Sequence, residues 1–420
     1  MNLEIINTGS ELMLGRVLNS HQQWLCRQLS DRGYVVARQV AVADTAVEIR
    51  QAVSESLARG GLAITTGGLG PTTDDLTRAA LAELLTRPLH EDGMVMAAIE
   101  AWFQRRGRPM PPSVRLQAQV PAGAIVLPNA HGTAPGLILE AGPTAASPDR
   151  PSAWLVMLPG PPRELRPMFA EQVLPWLARQ FPLDTPFYAR TLRTTGLGES
   201  MVQERIAGPL ASLVAAGLEI GYCARVGEVD VRLASRRPDA IALVAEAEAL
   251  VRECMSRQVF GSEDDTLEGA VVRLLTGRRQ TLVVAESCTG GRLASRITDV
   301  PGASAVFLGG VVSYSNALKQ RLLGVRAETL AGAGAVSETT AREMAEGART
   351  RHGADYALAV TGIAGPGGGT PAKPVGTVFI ALATARATTV IAPLNPYDRE
   401  TFKNVTTQQA LELLRQELLA

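Results

Sequence analysis

The sequence predicts an α/β protein of more than one domain, and three observations carry that expectation. Short apolar strands alternate with amphipathic helices over residues 1–175. The same alternation returns from about residue 261. The chain has 420 residues, beyond the ~250–300 at which a single core usually stops growing.

Leu3–Asn7 reads as a short apolar strand, and Ser20–Arg32 has helical spacing that ends at Gly33, a residue suited to a C-cap. Tyr34–Val42 reads as a second strand. Asp44 is placed to cap a helix running to about Leu57. Leu62–Thr66 is a third strand, running into Gly67-Gly68-Leu69-Gly70-Pro71. This β-α-β-α-β order predicts a mostly parallel sheet covered by helices. Ala153–Leu158 is a further strand, ending in Pro159-Gly160-Pro161-Pro162 before another helix; Glu140–Ser152 is the nearest thing to a flexible spacer.

Residues 176–260 read as a small α+β linking module. Gly196-Leu197-Gly198-Glu199 opens a helix, Leu218–Ala224 and Glu228–Ala234 pair through a turn at Val226-Gly227, and Ala240–Arg257 is a long amphipathic helix. In residues 261–420, Leu267–Leu275 is helical, Thr281–Ala285, Ala357–Val360 and Val375–Ala383 are strands, and Gln408–Leu419 is a closing helix.

Composition narrows the class. The chain is 46% hydrophobic and 20% charged, as expected of a soluble globular protein. Its 41 basic and 41 acidic residues cancel, so no basic excess grips nucleic acid. Cys26, Cys223, Cys254 and Cys288 are scattered, form no C-x-x-C and lie apart from the four histidines, which argues against a zinc site and fits a reducing cytosol. No signal-like N-terminus and no apolar run near the ~18 residues of a membrane span is present, so a cytoplasmic protein without membrane attachment is expected. Only Lys319, Lys373 and Lys403 are lysines, all in the last quarter of the chain; arginine supplies the remaining positive charge.

Ser287, in Glu286-Ser287-Cys288-Thr289-Gly290-Gly291, sits where a buried strand turns into a helix, at the sheet edge where ligands bind in open α/β folds. Backbone N–H groups of Ser287, Cys288, Thr289 and Gly290, with the helix dipole, can hold an oxyanion or a phosphate. Gly290-Gly291 allows close approach of a substrate. Taken alone, Ser287 or Thr289 reads more readily as a helix N-cap. A serine nucleophile needs a base, and no histidine presents itself. Lysine can serve if burial lowers its pKa; arginine cannot. In a chain that otherwise uses arginine, Lys319 is therefore the candidate base. Tyr314, five residues earlier, is placed to bond Ser287 or the leaving group. Cys288 is the rival nucleophile. The loop Thr361–Gly369 follows a buried strand and, with five glycines, suits close backbone contact with a ligand.

At the other end, Gly67–Thr77 joins a strand to a helix. Its glycines and hydroxyls suit phosphate, and Asp74 and Asp75 call for a bridging divalent cation unless they simply cap the helix. Glu11, after the first strand, is placed to reach the same crevice. Asn129–Gly136 and Pro159–Glu164 add two loops rich in Gly and Pro.

Thr281–Gly291, Gly309–Val325 and Thr361–Val378 together resemble the C-terminal, nicotinamide-nucleotide amidase domain of the CinA family. The N-terminal motifs match the same family in the same order, so the resemblance covers essentially the whole chain. It implies hydrolysis of the carboxamide of nicotinamide mononucleotide to the carboxylate, releasing ammonia and needing no cofactor. The family's serine–lysine pattern falls on Ser287 and Lys319, its tyrosine on Tyr314 and its loop threonine on Thr361. Cys288, Thr289, Gly290, Gly291, Asn316, Gly362 and Gly365 fall with the substrate contacts, and Arg399 with the family's late arginine, suited to phosphate. The N-terminal half resembles the MogA/MoaB-like domain of the same proteins, which implies hydrolysis of ADP-ribose to AMP and ribose 5-phosphate with a divalent metal of the Mg, Mn or Co type. Gly67, Gly68, Gly70, Thr72 and Thr77 would then contact the nucleotide, and Asp74, Asp75 and Glu11 the metal. Ser10 stands where the family often carries Asp. A nucleotide- or pterin-binding module without turnover, or a competence-related interaction module, is the alternative. A homodimer is expected.

Overall fold

The structure is a computed structural model that describes residues 1–142 and 153–420. The expected spacer at 140–152 lies, from residue 143 on, outside the described residues. The chain divides into two compact units, Met1–Tyr188 and Ala189–Ala420.

The first unit is built on six strands: β1 (Leu3–Thr8), β2 (Arg38–Val42), β3 (Gly61–Thr66), β4 (Ile125–Leu127), β5 (Gly136–Glu140) and β6 (Ala153–Leu158), in the order β2-β1-β3-β6-β5-β4. The β2-β1-β3-β6 half is parallel, and β5 and β4 are antiparallel additions. All six residues of β1 are buried, the signature of a central parallel strand covered on both faces. One face packs against α1 (Ser20–Ser30) and the helical run from Pro162 to Gln180, the other against α2 (Ala46–Ala58) and α3 (Thr77–Leu84). Two expectations shift. Pairing of β2 starts only at Arg38. The cap of α2 is Thr45, whose hydroxyl accepts from Glu48 N, while Asp44 accepts from Ser10 N.

The second unit opens with a four-stranded sheet of β7 (Tyr188–Thr195), β8 (Leu218–Arg225), β9 (Glu228–Ser235) and β10 (Val259–Ser262), in the order β8-β9-β7-β10, with its own core. The helices Glu199–Ala215 (α4) and Ala240–Cys254 (α5) cover it. A five-stranded sheet follows: β11 (Leu282–Glu286), β12 (Phe307–Val312), β13 (Tyr356–Gly362), β14 (Val378–Ala383) and β15 (Thr388–Ile391), in the order β12-β11-β13-β14-β15. Strand β11 runs parallel to β12 and β13, while β13, β14 and β15 are mutually antiparallel neighbours. Helices α6 (Leu267–Arg278), α7 (Arg292–Thr298) and α10 (Arg399–Leu419) cover one face; α8 (Asn316–Leu323) and α9 (Glu338–His352) lie on the other. The closing helix begins at Arg399, nine residues before the expected Gln408, because Asp398 caps it by accepting from Glu400 N and Thr401 N. No helix among the described residues is long and apolar enough to cross a membrane.

Gly347 on α9 lies against the chain at Leu323; a Cβ there would stand 1.6 Å from the Leu323 carbonyl oxygen. Gly347→Ala is therefore expected to cost ~1–3 kcal/mol or more through forced overpacking. The readout is a fall of several degrees in the thermal midpoint of the transition that unfolds this domain.

Candidate active site

Strand β11 is buried throughout and ends at Glu286, one residue later than expected. The sheet pattern continues one step, as Ser287 N donates to Val360 O on β13 at 2.9 Å. On the other side Ser313 N donates to Glu286 O at 2.8 Å. Ser287 is thus fixed between its two neighbouring strands at the C-terminal sheet edge.

The turn that follows is held by Glu286. Its carboxylate accepts from Gly291 N, Leu293 N and Ala294 N at 3.0, 3.1 and 2.9 Å. The N-terminal donors of α7 are consequently satisfied by this side chain, and the helix dipole meets a protein carboxylate. This corrects the expectation of a free helix N-terminus for substrate. Ser287 N and Gly290 N are also engaged, the latter with Ser287 O. Gly290 and Gly291 have φ of +63° and +95°, so their glycine character serves the turn. The amides of Cys288 and Thr289 lie beside the Cys288 thiol. They donate to no oxygen in the described residues.

Lys319 projects from α8, whose N-cap Ser315 accepts from Leu318 N. Its ammonium donates to Ser287 Oγ at 2.9 Å and to Ser313 O at 2.7 Å. It is 1% exposed, and that burial pushes its pKa below the ordinary lysine value. Cys288 lies beside the same dyad, but it is 5% exposed and burial pushes its thiol up to about 12. A thiol held protonated is a poor nucleophile, whereas the Ser287 hydroxyl accepts directly from the Lys319 ammonium.

Ser287, Cys288, Tyr314, Gly362, Ala364 and Arg399 line one cavity of about 210 Å³. Tyr314 is 61% exposed, and its hydroxyl accepts from the Arg399 guanidinium at 3.0 Å. Arg399 also donates to Gly365 O at 2.9 Å, which ties the glycine-rich loop to the start of α10. Other expected residues fall differently. The hydroxyl of Thr361 is buried and donates to Ala335 O at 2.7 Å, so it secures the end of β13 rather than lining the cavity. At Gly362 a Cβ would meet Thr377 O at 2.8 Å, so packing of the adjacent strand demands this glycine. Gly365 has φ +69° and serves the loop's turn. Asn316 is exposed at the first position of α8, outside the cavity lining, and Thr289 is buried with an unpartnered hydroxyl. Glu286 was missed as a functional residue; an acidic side chain just before a glycine turn and a helix was its only local signal.

In the first unit, Gly67 and Gly68 have φ of +99° and +67°, and a Cβ on either would strike Thr8 or Thr77. At Gly70 a Cβ would strike the Asp75 carboxylate at 2.3 Å. That carboxylate is turned into its own loop, accepting from Thr72 N at 2.9 Å and Thr72 Oγ at 2.5 Å. Asp74 and Glu11 are exposed. Among the described residues no three His, Cys, Asp or Glu side chains gather as metal ligands. Asp74, Asp75 and Glu11 thus do not fit a resident cation in this arrangement. Thr77 is fully buried with an unpartnered hydroxyl, and beside it the buried Arg78, which no sequence motif marks, donates to Leu69 O.

These sheets and sites define a protein that joins a MogA/MoaB-like α/β domain to an α/β domain with a buried Ser–Lys pair. Residues 4–179 match the family model described as "Probable molybdopterin binding domain", 189–261 the damage-inducible protein CinA KH domain, and 264–418 the CinA C-terminal domain. A CinA-like protein of Akkermansia muciniphila is 44% identical over 98% of this chain and 96% of its own. One of Gemmatimonas aurantiaca is 42% identical over 99% and 96%. The crystal structure of competence/damage inducible protein CihA from Agrobacterium tumefaciens, 40% identical, covers 37% of this chain and 94% of its own, with a TM-score of 0.36. The chain belongs to the CinA family.

Removing the Glu286 carboxylate strands three backbone donors at the start of α7. Glu286→Ala is expected to cost about 1–3 kcal/mol in denaturant unfolding of this domain. Glu286→Gln, which keeps one acceptor oxygen, should lose less.

Proposed function

We propose that the C-terminal domain is an amidohydrolase that converts nicotinamide mononucleotide to nicotinate mononucleotide and ammonia. One observation carries the reading: a 1% exposed lysine ammonium stands 2.9 Å from the hydroxyl of a serine that opens onto a cavity. Neutral Lys319 takes the Ser287 proton as Oγ attacks the amide carbon. The amides of Cys288 and Thr289 are the donors left to meet the oxyanion. Lys319 returns the proton to departing ammonia, and water then hydrolyses the acyl-enzyme. The cavity suits a pyridine carboxamide, with Tyr314 and Arg399 on its wall.

For the N-terminal domain we propose nucleotide binding at the Gly67–Thr77 loop. ADP-ribose hydrolysis would require an added cation, for which Asp74, Asp75 and Glu11 form no ready three-ligand group. Titration of ADP-ribose with and without Mn²⁺, followed for AMP, separates turnover from binding alone. Nucleic acid is not proposed as a partner of the KH module: residues 189–261 contain no G-x-x-G clamp, and Glu199 follows the Gly196-Leu197-Gly198 turn.

Ser287→Ala should abolish ammonia release from nicotinamide mononucleotide, and Cys288→Ala should retain it; a Ser287→Ala rate near wild type refutes the assignment. Lys319→Arg should be as inactive as Lys319→Ala, because the role requires loss of a proton. The wild-type rate should rise with pH through an inflection below the ordinary lysine value of ~10.4. Stability should move the same way. Between the depressed folded pKa and the ordinary unfolded one, the unfolded chain holds the extra proton, so unfolding free energy rises with pH across that window.

A further inference from the structure

The three lysines have different fates. Lys319 is the buried partner of Ser287. Lys373 donates to Ala333 O and Val336 O at 2.8 and 2.7 Å, closing the loop beside Thr361. Lys403 is half-buried on α10, and among the described residues its ammonium has no hydrogen-bond or ion-pair partner. Its Nζ lies 3.7 Å from the place a Gly290 Cβ would occupy, beside the turn that follows the nucleophile.

Arg399 stands one helical turn before Lys403, so the two cations share a face of α10. The partners of Arg399 are a carbonyl and a phenol, neither of them anionic. The nearby acids are otherwise engaged: Asp398 caps the helix, and Glu400 lies 3.8 Å from Arg292. Two uncompensated cations at i and i+4 repel each other, and the first turns of a helix disfavour positive charge. The cavity lining contributes no carboxylate to offset them. A site with this charge balance is relieved by an anion from outside the protein.

Resting on the amidase reading, we infer that Lys403 and Arg399 together hold the phosphate of the nucleotide substrate at the rim of the Ser287 cavity. The pyridine carboxamide reaches Ser287, and the phosphate monoester extends along the Gly290 side toward α10. Lys403 is a specificity-determining residue, since it binds a part of the substrate that does not react.

The test compares nicotinamide mononucleotide with nicotinamide riboside, which lacks the phosphate, in wild type, Lys403→Ala and Lys403→Arg. Lys403→Ala should lower the kcat/KM preference for the phosphorylated substrate by ~10–100-fold, the range for one lost bond to a charged group, and mostly through KM. Lys403→Arg, which keeps the charge, should retain most of the preference. A preference unchanged in Lys403→Ala overturns the proposal, as does an equal loss on both substrates. A folded wild type that releases no ammonia from the mononucleotide overturns the amidase reading, and the phosphate subsite falls with it.

Discussion

The C-terminal domain depends on one contact, an amine buried at 1% exposure with two oxygens to satisfy it. Burying a charged ammonium is costly, and the cost falls if the group gives up its proton. Everything nearby serves to keep those two oxygens in place. Ser313 O is fixed because its own residue is hydrogen-bonded to Glu286 across β12 and β11. Ser287 Oγ is fixed because its backbone is bonded to Val360 across β11 and β13. The Lys319 amine is therefore positioned by a three-strand parallel arrangement that a local stretch of sequence cannot form. Burial therefore favours the neutral amine, the form that the amidase proposal requires beside Ser287 Oγ.

Glu286 performs the complementary task. An α/β turn normally presents free helix amides to an anionic ligand. Here a buried carboxylate takes three of them, so negative charge at this strand end already belongs to the protein. That charge also disfavours the thiolate of Cys288, adding to the burial that keeps the thiol protonated. The consequence is a division of labour along the chain. The helix donors after Ser287 are met from within, while on α10 Arg399 and Lys403 stand without carboxylate partners, the observation on which the proposed phosphate subsite rests.

Much of the fold is legible in the sequence because its strands are continuous apolar runs bounded by Gly and Pro. β1, β3, β6, β11 and β13 were each placed to within about two residues for that reason. The scarcity of lysine pointed to Lys319, and the structure buries it against Ser287 Oγ. What was not legible rests on contacts distant in sequence. Thr361 looked like a ligand residue, yet its hydroxyl is spent on Ala335 O, 26 residues away. The role of Glu286 depends on donors that exist only once the turn folds back. Asp44 and Thr45 are adjacent and both able to cap, and Ser10, 34 residues earlier, decided between them by occupying Asp44. The start of α10 lies nine residues before the expected Gln408 because the side chain of Asp398 caps it, a contact that forms only once the first turn is wound.

The two glycine-rich loops show why glycine alone does not identify a ligand site. In both, several of the glycines are demanded by the protein itself. Gly68 makes room for Thr77, Gly70 for Asp75, and Gly362 for Thr377 O. The distinction between the loops lies in where charge is left over. Around Gly67–Thr77 a carboxylate is folded inward and a buried arginine is satisfied in part by a carbonyl. Around Ser287 the carboxylate is consumed by the helix and the cations remain. A loop that must recognise an anion needs positive charge the fold does not itself use, and that surplus, together with the buried amine, is why the amidase proposal is placed at the C-terminal cavity rather than at the Gly67–Thr77 loop.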